Sequence, residues 1–302
     1  MGLPKQFNPG KMPSELYEGI EYKDFWAGDS RTRLDLLEHS LVRDLLPDSG
    51  GRFIDIGCGY GRLADCYLDK FDQVVMLDGS MTLLKQAQES YKEKAFYIAA
   101  DANHLPFCKS SFDCVLMMRV FHHLPNSPGV LEETKRILGK DGIFIFNYTN
   151  KLNLKQLVRR LFRLGKESPF VLEPVLSGKT LINHHPSYIH KLLTKTDFAQ
   201  IKYFGTGVMD KISGKFGPPG KWLSSDKAIA PMLGILKLAP WIVCKAQATT
   251  GDSVAKDKCM DDLLVCPSCH NSVSRTPTSY LCRTCNISYP ITDGIADFRP
   301  HI

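Results

Sequence analysis

Apolar and polar positions along this chain follow two rhythms. From Arg33 to Leu46, the residues Leu34, Leu37, Leu41 and Leu45 fall on one helical face, and Pro47 ends the run. Apolar runs of strand length then recur: Phe53, Ile54 and Ile56 around Asp55; Val74 to Leu77; Ala95 to Ala100; Phe112 to Met118; and Ile143 to Tyr148. Between them, Met81 to Tyr91, with Ser80 as N-cap, and Val130 to Leu138 read as helices, and Gly139 to Gly142 as a turn. Strand and helix in alternation predict an α/β fold, a doubly wound, mostly parallel sheet with right-handed crossovers. Ligands of such sheets lie beyond the carboxyl ends of the strands, and Asp78, Asp101 and Arg119 stand at three of those ends.

After Tyr148 the rhythm changes. Residues 151–166 carry Leu154, Leu157, Val158, Leu161 and Leu164 with six Lys and Arg between them, a basic amphipathic helix. Pro186 to Lys195 reads as a further helix, Gln200 to Phe204 as a strand, and Gly214 to Ser225 as a Gly/Pro/Ser-rich passage. Pro240 to Ala246 is the expected last strand. The pattern divides the chain into an N-terminal arm or lid (1–30), a main domain (31–246) with an insertion at about 151–237, a polar linker (247–262) and a small C-terminal module (263–302).

Charge sharpens that division. The formal net charge is +6, yet Lys151 to Lys245 holds 16 Lys+Arg against 5 Asp+Glu. The insertion is therefore strongly basic and the remainder mildly acidic, which favours an anionic partner: a phosphorylated or carboxylated small molecule, a lipid surface or nucleic acid. The most apolar stretch, Ala228 to Cys244, is interrupted by Pro231, Lys237 and Pro240 and is too short to span a bilayer. No basic region followed by an apolar core opens the chain, so no secretory leader is expected. Four of the ten cysteines form two C-x-x-C pairs, a metal pattern suited to the reducing cytoplasm rather than a disulfide framework.

The candidate chemistry centres on Asp55-Ile56-Gly57-Cys58-Gly59-Tyr60-Gly61, a strand end running into three alternating glycines and then a helix start at Arg62 to Leu68. Without Cβ atoms, backbone N–H groups there can approach a ligand closely. A dinucleotide fingerprint would need its third glycine at position 62, which is Arg62. The D-x-G-x-G-x-G pattern instead resembles motif I of the seven-strand S-adenosylmethionine-dependent methyltransferases, closely over about residues 30–150 and more loosely over 180–246. That resemblance implies a seven-stranded Rossmann-like sheet whose basic insertion caps the acceptor.

It further implies that the turn from Gly57 through Cys58 and Gly59 to Gly61 and the helix after it hold the donor's methionine portion, with Asp55 supporting that end. Asp78, in Leu77-Asp78-Gly79-Ser80, would take the ribose hydroxyls, and Asp101 and Ala102 the adenine. Arg119 would meet the donor carboxylate or an acidic group, or pair with a nearby Asp. His122 and His123 follow the fourth strand at motif IV; either could deprotonate an acceptor hydroxyl or amine, or simply cap the loop. The Asp/Asn-Pro-Pro-Tyr/Phe loop and the Pro-Cys nucleophile of common base methyltransferases are both missing from the sequence.

Cys266, Cys269, Cys282 and Cys285 stand as C-x2-C-x12-C-x2-C, the spacing of a closed structural zinc site. With Tyr289 to Phe298 the module resembles the small zinc-ribbon activators of tRNA and translation-factor methyltransferases. By that analogy it docks against the edge strand Phe96 to Ala100, or else it reads RNA or a protein. The leading expectation is a cytoplasmic methyltransferase of a small-molecule or lipid-like acceptor. The alternative acts on RNA or a translation factor, with RNA or an anionic membrane surface meeting the 151–166 helix.

Overall fold

The computed structural model describes residue 26 and residues 29–164, 168–177, 180–208, 223–255 and 257–300. Most of the expected N-terminal arm, and positions 214–222 of the Gly/Pro/Ser-rich passage, lie outside the described residues. Helix α1 (Asp29–Leu45) turns Leu34, Leu37, Leu41, Val42 and Leu45 inward, as its stripe requires. Strand β1 (Gly50–Ile56) lies at the centre of the sheet, parallel to β2 (Phe71–Asp78) on one side and β4 (Phe112–Met117) on the other. Outside them, also parallel, run β3 (Phe96–Ala99) and β5 (Leu138–Asn150). Strand β9 (Trp241–Ala248) returns antiparallel along β5, and β8 (Phe198–Thr206) pairs antiparallel with β9. Successive side chains of the central strands serve opposite core layers: Ile54, Ile56, Val115 and Met117 enter one, Phe53, Cys114 and Leu116 the other.

Helix α2 (Met81–Tyr91) starts where the sequence places it, with the Ser80 hydroxyl accepting the Leu83 N–H. Helices α3 (Ser127–Ile137) and α5 (Pro186–Lys195) cover the sheet through Val130, Leu131, Ile189 and Leu193. Helix α4 spans Leu154–Leu161 within the 151–166 amphipathic stretch. Helix α6 (Leu223–Leu236) crosses close over β8; a Cβ at Gly234 would stand 2.2 Å from the Tyr203 carbonyl oxygen. Helix α6 is fastened to α1 by an ion pair with almost no exposure, Arg33 to Asp226, in which both carboxylate oxygens accept at 2.7 Å.

Three elements differ from the sequence reading. No α-helix follows the glycine turn; a single 3-10 turn, Ala64–Cys66, stands there. Only nine residues separate Gly61 from the start of β2, too few for a helix and a return. The Gly139–Gly142 turn is absorbed into an irregular start of β5, where the pairing with β4 shifts register. A hairpin of β6 (Val175–Ser177) and β7 (Leu181–His184), unforeseen in the insertion, adds to the end of β5 through Thr149 and Asn150.

The segment expected to be a linker lies against the domain. Lys109 pairs with Asp252, the Lys140 N–H donates to Asp252 O, and Arg52 Nη2 donates to Lys258 O at 2.7 Å. The C-terminal module consists of α7 (Met260–Leu263), β10 (Ser274–Arg275), β11 (Ser279–Cys282), β12 (Ile287–Thr292) and β13 (Ile295–Asp297). Asp293 and Gly294, both at positive φ, make the tight β12–β13 turn. Strand β13 then pairs parallel with β3, Ala296 opposite Ile98, so that module and domain share one continuous sheet.

Removing one partner of the buried pair would strand the other charge. Asp226→Ala should lower unfolding stability by about 3–5 kcal/mol, read as a lower denaturant midpoint. The double change Arg33→Leu with Asp226→Leu should recover most of the loss.

Candidate active site

The glycine turn opens at the carboxyl end of β1. Gly57, Gly59 and Gly61 all have positive φ, and each glycine has its own steric reason. A Cβ at Gly57 would meet Val120 at 2.1 Å and one at Gly61 would meet Tyr91 at 2.5 Å, whereas at Gly59 nothing lies within 4 Å. Gly57 and Gly61 are thus fixed by packing, and Gly59 leaves open space facing the cleft. The Gly57 and Cys58 N–H groups both donate to Leu77 O, which locks the turn to the end of β2.

Asp78 completes that lock. Its two carboxylate oxygens accept the Gly59 N–H at 2.8 Å and the Ser80 N–H at 2.9 Å. At the next strand end, Asp101 Oδ1 accepts from the Asn103 backbone and side chain, and the Ala102 N–H makes no hydrogen bond among the described residues.

These groups line one open cleft, about 960 Å³ with the open space at its mouth included. Of the residues singled out from sequence, Asp55, Gly57, Cys58, Gly59, Asp78, Gly79, Asp101, Ala102, Arg119 and His123 line it. Gly61, Ser80 and His122 do not: Gly61 packs behind the turn, Ser80 is the buried cap of α2, and His122 turns into the core. Burial, reinforced by Asp78 and Asp55, holds the Cys58 thiol far above its ordinary range, so it is no nucleophile. Tyr60, Arg62, Leu83, Met118, Val120 and Leu124 join the lining without having been singled out.

The arginines are organised by a residue the sequence pattern hid. Glu38, with no exposed surface, accepts from Arg119 Nε at 2.8 Å through one oxygen and from Arg62 Nη2 at 2.8 Å through the other. Arg62 also pairs with Asp35, and it stacks over Trp26 at 3.9 Å; Arg119 stacks over Trp241 at 3.8 Å. Arg119 therefore pairs with a glutamate from α1 rather than with an Asp. Glu38 sits on the stripe side of α1 among leucines, where a lone carboxylate gives no sequence signal.

His123 faces the cleft, its Nδ1 3.3 Å from the Thr180 carbonyl oxygen. Burial lowers its pKa, with the Thr180 bond opposing, so the imidazole is neutral at physiological pH and able to accept a proton. His122 stacks edge-on to Trp241, and burial first, then His123 and Arg119, depress its pKa strongly.

At the far end of the sheet the four cysteines of the C-terminal module converge, their sulfurs all within 4.8 Å of one another. Cys269 and Cys282 stand 3.6 Å apart and Cys266 and Cys285 3.9 Å. Four thiolates about 2.3 Å from one ion sit roughly 3.8 Å apart, whereas a disulfide needs about 2.05 Å. The Tyr289 hydroxyl lies 3.1 Å from Cys266 Sγ, placed to donate to a thiolate. The donor set suits a tetrahedral ion such as zinc.

Residues 54–146 match the family model described as a methyltransferase domain. An uncharacterized protein of Methanocaldococcus jannaschii is 26% identical over 60% of this chain and 74% of its own length. A probable phthiotriol/phenolphthiotriol dimycocerosates methyltransferase of Mycobacterium ulcerans is 33% identical, but over only 32% of this chain and 39% of that protein. In fold, the chain resembles a chain from the complex between the Haloferax volcanii Trm112 methyltransferase activator and the putative methyltransferase, with a TM-score of 0.54 at 13% identity, covering 80% of this chain and 99% of that one.

Asp55 supplies a pH signature. Burial pushes its carboxyl up to about 7, against the opposing Tyr67 hydroxyl and Arg62, with Asp78 adding to the rise. The folded state then holds this proton more tightly than the unfolded chain, so stability falls as pH rises from about 4 to about 7 and levels above. Asp55→Asn should lack that component. The thermal midpoint of the native chain relative to the variant should drop across the same window, and a constant difference would mean that Asp55 does not titrate there.

Proposed function

We propose that this chain, a methyltransferase of the Rossmann-like, S-adenosylmethionine-dependent kind, moves the donor's methyl group onto a small-molecule or lipid-like acceptor. The observation that carries the donor half is the convergence of Gly59, Asp78, Asp101 and Ala102 on one cleft at the carboxyl ends of three adjacent strands. The donor supplies an already activated sulfonium methyl. The open space at Gly59 takes its methionine end, beside Asp55. The Asp78 carboxylate in the cleft wall suits the ribose diol, and Asp101 with the Ala102 N–H suits the adenine edge.

Alignment and water exclusion do most of what such a displacement requires, because the leaving group is preset. Met118, Val120 and Leu124 give the cleft its apolar wall, and His123 takes the acceptor proton where one must leave. The Mycobacterium ulcerans relative is named for a lipid-type acceptor, which supports the same class for this chain.

The C-terminal module is read as a structural zinc ribbon, with Cys266, Cys269, Cys282 and Cys285 as ligands and no open position. Four closely spaced thiols of this kind favour the reducing cytoplasm. The ribbon begins near residue 263, the donor domain covers 31–246, and the intervening residues act as a strap rather than a free linker. Its role is to buttress the donor loops. The Phe298 N–H donates to Ala99 O at 2.7 Å, and Arg299, held bidentate by Asp297, donates from Nη1 to Gly79 O at 3.1 Å. Gly79 is itself part of the cleft wall.

A second reading, action on RNA or a translation factor, draws on the fold likeness to the activator complex. The ribbon's arginines argue against RNA: Arg275, Arg283 and Arg299 are few, and Arg275 pairs with Asp261 and Arg299 with Asp297. Incubating the protein and labelled donor with fractionated cell extract separates the readings. Label should enter lipids or small molecules, and label confined to RNA or protein would favour the second. Asp78→Ala should abolish calorimetric donor binding; binding unchanged by that substitution would remove the donor-site assignment.

Arg299→Ala should weaken donor binding by about 1–2 kcal/mol, roughly 5- to 30-fold in Kd, while zinc content stays at one ion per chain. Cys282→Ser should lower both zinc content and the thermal midpoint of the whole chain, since ribbon and domain share a sheet.

A further inference from the structure

Helix α4 buries none of its residues. Leu154, Val158 and Leu161 follow the i, i+4, i+7 spacing of a single stripe, flanked by Lys155 on one side and Arg160 on the other. In a globular domain such a stripe normally turns toward the core, but here it faces outward. Leu161 is 77% exposed, and Phe162 and Leu164 just past the helix are 66% and 69% exposed.

Two other segments extend the same surface. Phe170, Val171 and Leu172 are exposed, and so are Ile235 and Leu236 at the end of α6. Hydrogen bonds tie the three together. The Leu154 N–H donates to Leu238 O, Asn150 Nδ2 to Lys237 O, and Lys151 Nζ to Glu173 O at 2.6 Å. Across them lie the cations Lys155, Arg159, Arg160, Arg163 and Lys237, with Glu173 the only acid among the described residues of those segments. Exposed apolar side chains gathered on three segments held to one another in this way suit an interaction site.

We propose that this face docks onto an anionic lipid surface. A helix lying in the bilayer interface combines these features: protruding Leu, Ile and Phe to enter the acyl boundary, and Lys and Arg alongside to reach the headgroups. The charge excess selects anionic lipid, and the apolar side chains between the cations offer nothing to a phosphodiester backbone. Position gives the docking a purpose. Helix α4 follows directly on the end of β5, on the side where the cleft opens, and His123 in the cleft is bonded to Thr180 of the same insertion. Resting on the methyltransferase reading, this arrangement would bring the cleft mouth to acceptors held in the membrane.

The test is flotation of the full chain with phosphatidylcholine vesicles, plain or containing about a third phosphatidylserine. Retention should be at least about tenfold greater on the anionic vesicles and should fall with added salt. Leu161→Asp with Phe162→Asp should abolish it, and Arg159→Glu with Arg160→Glu should reduce it at least about tenfold. Both pairs should leave the thermal midpoint and the donor Kd unchanged. Donor binding without vesicle retention would overturn the proposal and spare the enzymatic reading; vesicle retention without donor binding would do the reverse. Equal retention on plain vesicles, retention on RNA instead, or a dimer broken by the Leu161/Phe162 pair would each overturn the proposal. A drop in thermal midpoint for that pair would show the chain itself covering the face, with the same consequence.

Discussion

A carboxylate with no access to water must be neutralised where it stands, and in this protein that residue is Glu38. Its partners come from two places far apart in sequence: Arg62, one residue past the glycine turn, and Arg119, two residues past the end of β4. One buried charge thereby fixes α1, the turn after β1 and the loop after β4 relative to one another. Arg119 holds a left-handed backbone conformation to do so, with its N–H on Asn147 Oδ1 at 2.7 Å. The glycines can then leave open space at Gly59, because the loops on both sides of that space are pinned.

Pinning of the other wall comes from the C-terminal module. A unit of about 40 residues lacks the apolar surface to fold alone, and this one does not try to. Leu264, Tyr280, Tyr289, Phe298 and two of the clustered cysteines belong to the same core layer as Ile98 and Phe107. An edge strand offers unpaired N–H and C=O groups that would otherwise recruit another chain. Strand β13 covers that edge from within the chain, and its end reaches the Gly79 loop. Stability and the shape of the cleft wall are therefore carried by the same few hydrogen bonds.

The sequence pattern was most informative where one rule acts alone. Apolar strands ending at Asp78, Asp101 and Arg119, the Ser80 cap and the bounds of α2 and α5 follow from periodicity and capping. It failed where two local rules compete. Arg62 to Leu68 has helical character, but the distance to β2 leaves no room for a helix. Gly139 to Gly142 looks like a turn, yet neighbouring strands draw it into β5. His122 and His123 are indistinguishable in sequence; a single step of backbone sends one into the core against Trp241 and the other into the cleft. Glu38 was invisible because its meaning lies in two arginines 24 and 81 residues away.

The charges in the cleft now have an order. Glu38 offsets much of the charge of Arg62 and Arg119, and His123 is neutral, so the positive side chains contribute little net field. Asp78 and Asp101 remain, and Asp55 adds a charge as it ionises near neutrality. A cleft left with an excess of carboxylates favours a cationic ligand over its neutral counterpart. On the donor reading that preference has a direction, because the sulfonium loses its positive charge when the methyl leaves. The same carboxylates that draw in the charged donor hold the neutral thioether product less tightly. Buried pairing of the arginines is what makes this possible: two unopposed guanidinium groups at the cleft would cancel most of that excess.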